Sequence, residues 1–221
     1  MLHKEANVLS LTDEAYNVIK KRIINITYPP DTFLTEAKLS EDLKMSRMPI
    51  RMAIKRLHNE GWLLSSFRKK IKVKGVTKKD VLEIYQLRKL VEENAMKLIF
   101  EMNKTWEYSH RIEEKVVHMK AMQDDPFEWE LADTQMHMEI VSIFDNSRIN
   151  KIYQNNQEEL IRIGLISNKP FVHVQKIIDN LYSMVESIRA KDFDNAIAIL
   201  RADHLEEGLK LILAIIEQAK K

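Results

Sequence analysis

A mainly α-helical chain in two parts is the fold the sequence predicts, and three observations lead there. Only 4 glycines and 5 prolines occur in 221 residues, so turns are few and helices long. Apolar residues recur at three- and four-residue spacing along most of the chain, with one stretch of alternation around Ile71-Lys72-Val73-Lys74. Charge is divided as well. Residues 1–76 hold 15 Lys/Arg against 8 Asp/Glu, a balance of +7, and residues 77–221 hold 20 against 25, a balance of −5. A basic front and an acidic rear direct any polyanion to the front alone.

The front part resolves into short elements. "LSLTDEAYNVIKKRIINITY" opens with capping residues, and Leu11, Ala15, Val18, Ile19 and Ile23 follow at helical spacing, predicting a helix over about 12–26. "YPPDTFL" (28–34) breaks it, because two prolines and an aspartate do not continue a helix. "TEAKLSEDLKM" predicts a second helix over about 35–44, buried through Ala37, Leu39 and Leu43. "MSRMPIRMAIKRLHNEGWLL" (45–64) predicts a third. Ser46 is a favoured N-cap, Pro49 falls in the first turn where its missing N–H is harmless, and Gly61 suits the stop. Ile50, Ala53, Ile54 and Leu57 form its core stripe. Arg47, Arg51 and Lys55 form a second stripe about 110° around the helix. "WLLSSFRKKIKVKGV" then reads as two short strands joined by the tip "SSFRKK". Three helices followed by a two-stranded ribbon make a winged helix-turn-helix, expected over residues 1–76.

From Val76 onward the pattern is helical, with helices expected over about 78–102, 105–124, 126–145, 147–167, 170–190 and 192–219. "TKKD", "DDP", "DNS", "NKP" and "KDF" supply the breaks and caps. An antiparallel six-helix bundle over 77–221 follows, with the boundary at 75–79. The chain has no cysteine, which excludes a disulfide scaffold and thiolate chemistry. No apolar leader and no run of 18 apolar residues is present, so a cytoplasmic protein without a membrane partner is expected.

The third helix carries the features of a DNA reader. Its N-terminus favours anions, and the Ser46 hydroxyl is placed for a phosphate or base. Arg47 and Arg51 lie one turn apart, and a guanidinium pairs bidentately with guanine O6/N7. Lys55 and Arg56 suit backbone phosphate, and Lys38 on the preceding helix is a further DNA-binding candidate, as is Pro49. Met48 and Met52 leave the core stripe for a face that is normally polar, where thymine methyls would meet them. The tip Phe67-Arg68-Lys69-Lys70 would reach a neighbouring groove. Taken singly, a basic stripe is a solvated surface and an exposed methionine is tolerated; here cap, proline, stripe, ribbon and charge coincide.

These residues resemble the N-terminal domain of GntR-type bacterial transcription regulators. The matching core is Leu39-Ser40-Glu41-Asp42-Leu43, then Ser46-Arg47-x-Pro49-Ile50-Arg51-x-Ala53-Ile54 and Leu57-x-x-Glu60-Gly61-Trp62. "EIYQLRKLVEENAMKLI" and "DTQMHMEIVSIFDNSRI" resemble the all-helical effector domain of the FCD (FadR C-terminal domain) branch, at the shorter VanR-like length. The resemblance implies a homodimer on a short palindromic operator, a repressor by expectation, answering to a small carboxylate-type metabolite. Two family glycines are replaced, by Tyr28-Pro29-Pro30-Asp31 after the first helix and by Arg68-Lys69 at the wing tip.

In the rear part Asp133 and His137 stand four apart, so both side chains leave one helix face, as two ligands of one ion do. A hydrogen-bonded pair is the plainer reading. The resemblance implies a metal at this pair, completed from the last two helices, where the matching positions here hold Leu181 and Asp203, beside His204. Leucine cannot ligate, so Asp133, His137 and Asp203 are the donors expected, for zinc, manganese or nickel. The resemblance also makes Arg88 the partner of an effector carboxylate, the alternative being an internal pair with Glu92. Arg162, within apolar "LIRIGLI", is a second anion candidate, and His173, Tyr85 and Trp129 are expected in the core or at the rim. A ligand-responsive, DNA-binding transcription regulator is the function expected. A metal-dependent hydrolase and a sequence-tolerant architectural DNA protein are the alternatives. No nucleophile–base constellation or phosphate-cradling glycine loop favours an enzyme.

Overall fold

The structure, a computed structural model, describes residues 10–65, 70–167 and 174–218, with the side chains of Ser65 and Asp203 outside the description. The chain separates into two compact units, Met1–Gly75 and Val76–Lys221.

The first unit contains α1 (Leu11–Ile24), β1 (Phe33–Leu34), α2 (Glu36–Leu43), α3 (Arg47–Asn59), β2 (Leu63–Ser65) and β3 (Ile71–Val73). Ser10 caps α1 by accepting from the Asp13 N–H at 3.1 Å, and Thr35 caps α2 by accepting from Lys38. Lys44 closes α2 in the left-handed region, φ 55°, and turns the chain into α3. Gly61, at φ 82°, ends α3 in a conformation that costs a residue with a Cβ. Ala15, Ile19, Ile23, Leu39, Ile50, Ala53, Leu57, Leu63 and Val73 are fully buried and form one core.

Several expectations need correcting here. Leu11 is 62% exposed, and Tyr16, not expected in the stripe, is buried in the core. Ala37 is exposed and Leu43 and Ile54 are only partly buried, so α2 is held chiefly by Leu39. The ribbon has a third strand, in antiparallel order β1-β3-β2, with Phe33 opposite Lys72 and Leu63 opposite Val73. At two residues β1 is too short for alternation to show, and Asp31 and Thr32 extend the pairing through backbone hydrogen bonds with Val73 at 3.1 and 2.9 Å.

The second unit contains α4 (Lys78–Glu101), α5 (Thr105–Ala121), α6 (Pro126–Val141) with a 3-10 turn Ser142–Phe144, α7 (Ser147–Ser167), α8 (Val174–Arg189), α9 (Phe193–Ala198), a π-helical segment Ile199–Glu206 and α10 (Glu207–Gln218). A capping box joins Thr77 and Asp80 at the start of α4. Asp125 accepts from the N–H groups of Phe127 and Glu128 at the start of α6, with Pro126 in the first turn. Asn103, Asp145 and Lys191 turn the chain at positive φ where glycine is scarce.

The last helix, expected to be continuous, is divided. Its middle widens to π geometry, which a count at 3.6 residues per turn cannot register. Met96, Ile99, Ile112, Val116, Met136, Ile140, Leu181, Met184 and Val185 form the main core. A smaller cluster, Val81, Ile84, Tyr85, Leu160, Ile163, Ile212 and Ile216, ties the beginning of α4 to α7 and α10. Among the described residues, no helix is long and apolar enough to cross a membrane.

Candidate functional sites

In the first unit, α3 presents two faces. Ile50, Ala53 and Leu57 pack inward, while Arg47, Met48, Arg51, Met52 and Lys55 are exposed, Met48 at 63% and Met52 at 47%. Ser46 occupies the N-cap in extended conformation, yet its side chain makes no capping hydrogen bond. Pro49 lies in the first turn, where its fixed φ suits the helix and its missing N–H leaves nothing unsatisfied. Pro49 itself is buried, which makes it a shaper of the first turn rather than a contact surface. Lys38 is exposed on α2.

Arg51 is exposed but engaged: its Nε and Nη2 donate to the Glu36 carboxylate at 3.0–3.3 Å. Arg56, expected on phosphate, is committed elsewhere. It lies over the Tyr16 ring, 3.7 Å from the centroid, and pairs with Asp13 at 3.3 Å and Glu60 at 3.2 Å. Arg68 and Lys69 lie outside the described residues.

In the second unit, α6 brings Asp133 and His137 to one buried face, with His137 Nε2 3.7 Å from Asp133 Oδ1. The third donor is His204, from the π-helical segment, whose ring centroid lies 5.6 Å from that of His137 at 74°. One ligand atom from each of Asp133, His137 and His204 falls within 4.8 Å of the others. Asp203 was expected in this role; its side chain lies outside the described residues, and its neighbour is the residue brought to the pair. Leu181 is fully buried in the core and contributes only apolar wall. Two imidazoles and a carboxylate are a donor set suited to a divalent ion such as zinc, manganese or nickel, so the residues present fit one.

Behind the donors runs a polar string that sequence spacing revealed only in part. Arg88 Nε donates to Glu92 Oε1 at 2.8 Å, the internal pair weighed against effector binding. The Tyr153 hydroxyl donates to the same oxygen at 2.5 Å, and Glu92 Oε2 stands 2.7 Å from His137 Nδ1. All four residues are buried. Burial alone would push the Glu92 carboxyl up, but the Arg88 charge and His137 hold it well below the usual carboxylate range. Burial likewise opposes the charge on Arg88, and Glu92 reverses this, raising Arg88 further. Tyr153 is raised by burial and then by Glu92.

Two cavities adjoin the string. A small one is lined by Tyr85, Arg88, Glu130, Asp133, Thr134 and Gly164, among others. A narrow cleft is lined by Trp129, Glu130, Asp133, Lys176, Asn180 and His204, among others. Gly164 permits a close approach of α7 to α6, since a Cβ there would fall 1.9 Å from Glu130 Oε2. Arg162 is buried on α7 and lines neither cavity. Tyr85 and Trp129 are buried, and His173 lies outside the described residues.

Residues 83–207 match the FCD domain family, and residues 11–73 match the family described as bacterial regulatory proteins, gntR family. The gluconate operon transcriptional repressor of Bacillus licheniformis is 28% identical over 184 residues, covering 80% of this chain and 74% of that protein. An HTH-type transcriptional regulator of Bacillus subtilis, YdhC, is 36% identical over 86 residues, covering 39% of this chain and 38% of that protein. A solved GntR transcriptional regulator from Rhodococcus sp. RHA1 shares the fold with a TM-score of 0.74 at 18% identity, over 93% of this chain and 99% of that one. The chain therefore belongs to the FCD-domain branch of the gntR family of bacterial regulatory proteins: it is a ligand-responsive, DNA-binding transcription regulator and not an enzyme.

Proposed function

We propose that this regulator is a cytoplasmic repressor, binding a palindromic operator as a homodimer and responding to a small organic acid. In this reading residues 1–76 are the DNA-binding domain, and residues 77–221 bind effector and dimerise. Arg47 and Arg51 read base edges, Met48 and Met52 meet thymine methyls, and Ser46, Lys38 and Lys55 hold phosphates. The wing tip, with Arg68 and Lys69, adds backbone contacts. The name of the Bacillus licheniformis relative, a repressor, supports the sign of regulation.

The observation that carries the effector reading is the buried convergence of Asp133, His137 and His204 beside two cavities. These three residues would hold a divalent ion, and the ion would supply Lewis-acid affinity for a carboxylate. Arg88 lines the smaller cavity with Asp133 while its Nε is engaged by Glu92, so it adds positive potential there. Arg162 acts as a second, more remote positive charge. Effector binding biases the packing of α4 against α7 and α10, at the end of α4 next to residue 76. Coupling of this kind is typically worth about 1–3 kcal/mol, or roughly 5- to 150-fold in operator affinity.

The test joins metal analysis of protein purified without chelator or affinity tag to a thermal-shift screen of organic acids. Hits are then added to binding titrations on palindromic and random duplexes at two salt concentrations. A stoichiometric divalent ion and an acid that weakens operator binding are expected. Operator affinity indifferent to every acid, with or without metal, would remove the reading.

A further inference from the structure

Glu92 lies on α4, buried from solvent, with its two oxygens facing different groups. Oε1 accepts from Arg88 Nε at 2.8 Å and from the Tyr153 hydroxyl at 2.5 Å. Oε2 is 2.7 Å from His137 Nδ1, within ion-pair distance, and both atoms are buried with no hydrogen-bond partner as the ring stands, so the two lone pairs could not face each other at that distance without a proton between them. A carboxylate so placed accepts only, so the nitrogen facing it must carry a proton. A neutral imidazole protonated at Nδ1 has its lone pair on Nε2. That atom is 3.7 Å from Asp133 Oδ1, too far for a hydrogen bond, and His204 joins the same two residues in the cluster.

We infer that Glu92 is the positioning residue of the Asp133–His137–His204 cluster: by accepting the His137 Nδ1 proton it fixes the ring's tautomer and rotation, presenting Nε2 as the ligand atom. Arg88 and Tyr153 act one step further back, holding the carboxylate in place. The inference rests on the metal reading above for its purpose. Ligating histidines are commonly held this way, and loss of the outer partner typically lowers metal affinity 10- to 100-fold.

Two measurements test it. In the full-length, metal-free protein, nitrogen-15 NMR of the imidazoles, with His137 assigned by comparison with His137→Gln, should show the Nδ1–H tautomer near pH 7.5. An Nε2–H tautomer of the neutral ring would overturn the assignment. The second measurement compares Arg88→Met/Glu92→Gln with Arg88→Met/Glu92→Leu, both of which remove the buried charge pair together so that neither leaves a lone ion. Zinc binding, read by competition with a fluorescent chelator, should be about 10- to 100-fold weaker in the leucine protein than in the glutamine protein. Equal affinities would also overturn it. If the unsubstituted chain binds no zinc, manganese or nickel, the metal reading fails by itself, and the NMR result still decides whether Glu92 orients the ring.

Discussion

At Glu92 the protein buries a carboxylate beside a guanidinium, and the cost of desolvating both is offset only while both are charged. This sets a pH dependence. The folded-state value of Glu92 lies below its ordinary 4.5, so its contribution to stability is complete above that pH and is lost as the pH falls below it, toward the folded-state value. Denaturant midpoints of the second unit should fall on acidification below about pH 4.5, and Arg88→Met/Glu92→Gln should flatten that limb. Arg51→Ala should weaken operator binding by about 1–3 kcal/mol and relax base preference at one position per half-site, measured by competition among operator variants. An unchanged preference would take Arg51 out of the readout. Gly164→Ala should destabilise by about 1–3 kcal/mol in urea unfolding, because a Cβ 1.9 Å from a buried carboxylate oxygen must displace Glu130. The exposed Arg47, Arg51, Met48 and Met52 were legible in the sequence, because one helix of known period contains them all. Asp133 with His137 was legible for the same reason. His204 as third donor and the approach of Glu92 to His137 were not, since they join residues 45 or more positions apart that only tertiary packing brings together.

Elements were most legible where capping chemistry marks their ends. Thr77 and Asp80 bond reciprocally at the start of α4, and Thr77→Ala should cost about 1 kcal/mol in the unfolding of the second unit. A loss near zero would mean that packing alone fixes this end. Two elements escaped the sequence for geometric reasons. β1 has only two residues and lies in a proline-rich break, so it has no period to detect. The π-helical segment has the same apolar composition as an α-helix, and its extra residue per turn shows only as a change of phase. That segment is where the structure brings His204 to Asp133 and His137, while the side chain of Asp203, the position the sequence pointed to, lies outside the described residues.

For the molecule as a whole, the division of charge predicts how binding responds to salt. With +7 confined to residues 1–76 and −5 on the remainder, non-specific affinity for DNA should fall steeply between 50 and 200 mM salt, by about 10³ or more if some six phosphates are contacted. Binding to the operator should fall along a similar slope from a higher starting point, with the preference between duplexes retained; equal affinities at every salt concentration would argue for an architectural protein. The three tryptophans are also distributed usefully. Trp129 is 2% exposed and lines the cleft with Asp133 and His204, Trp62 is partly buried in the first unit, and Trp106 is 67% exposed. Replacing Trp62 and Trp106 by phenylalanine would leave a single indole at the mouth of the donor cluster. Its emission should be quenched by open-shell nickel and left bright by closed-shell zinc, so the occupancy of the cleft can be followed by light from a chromophore the chain already carries.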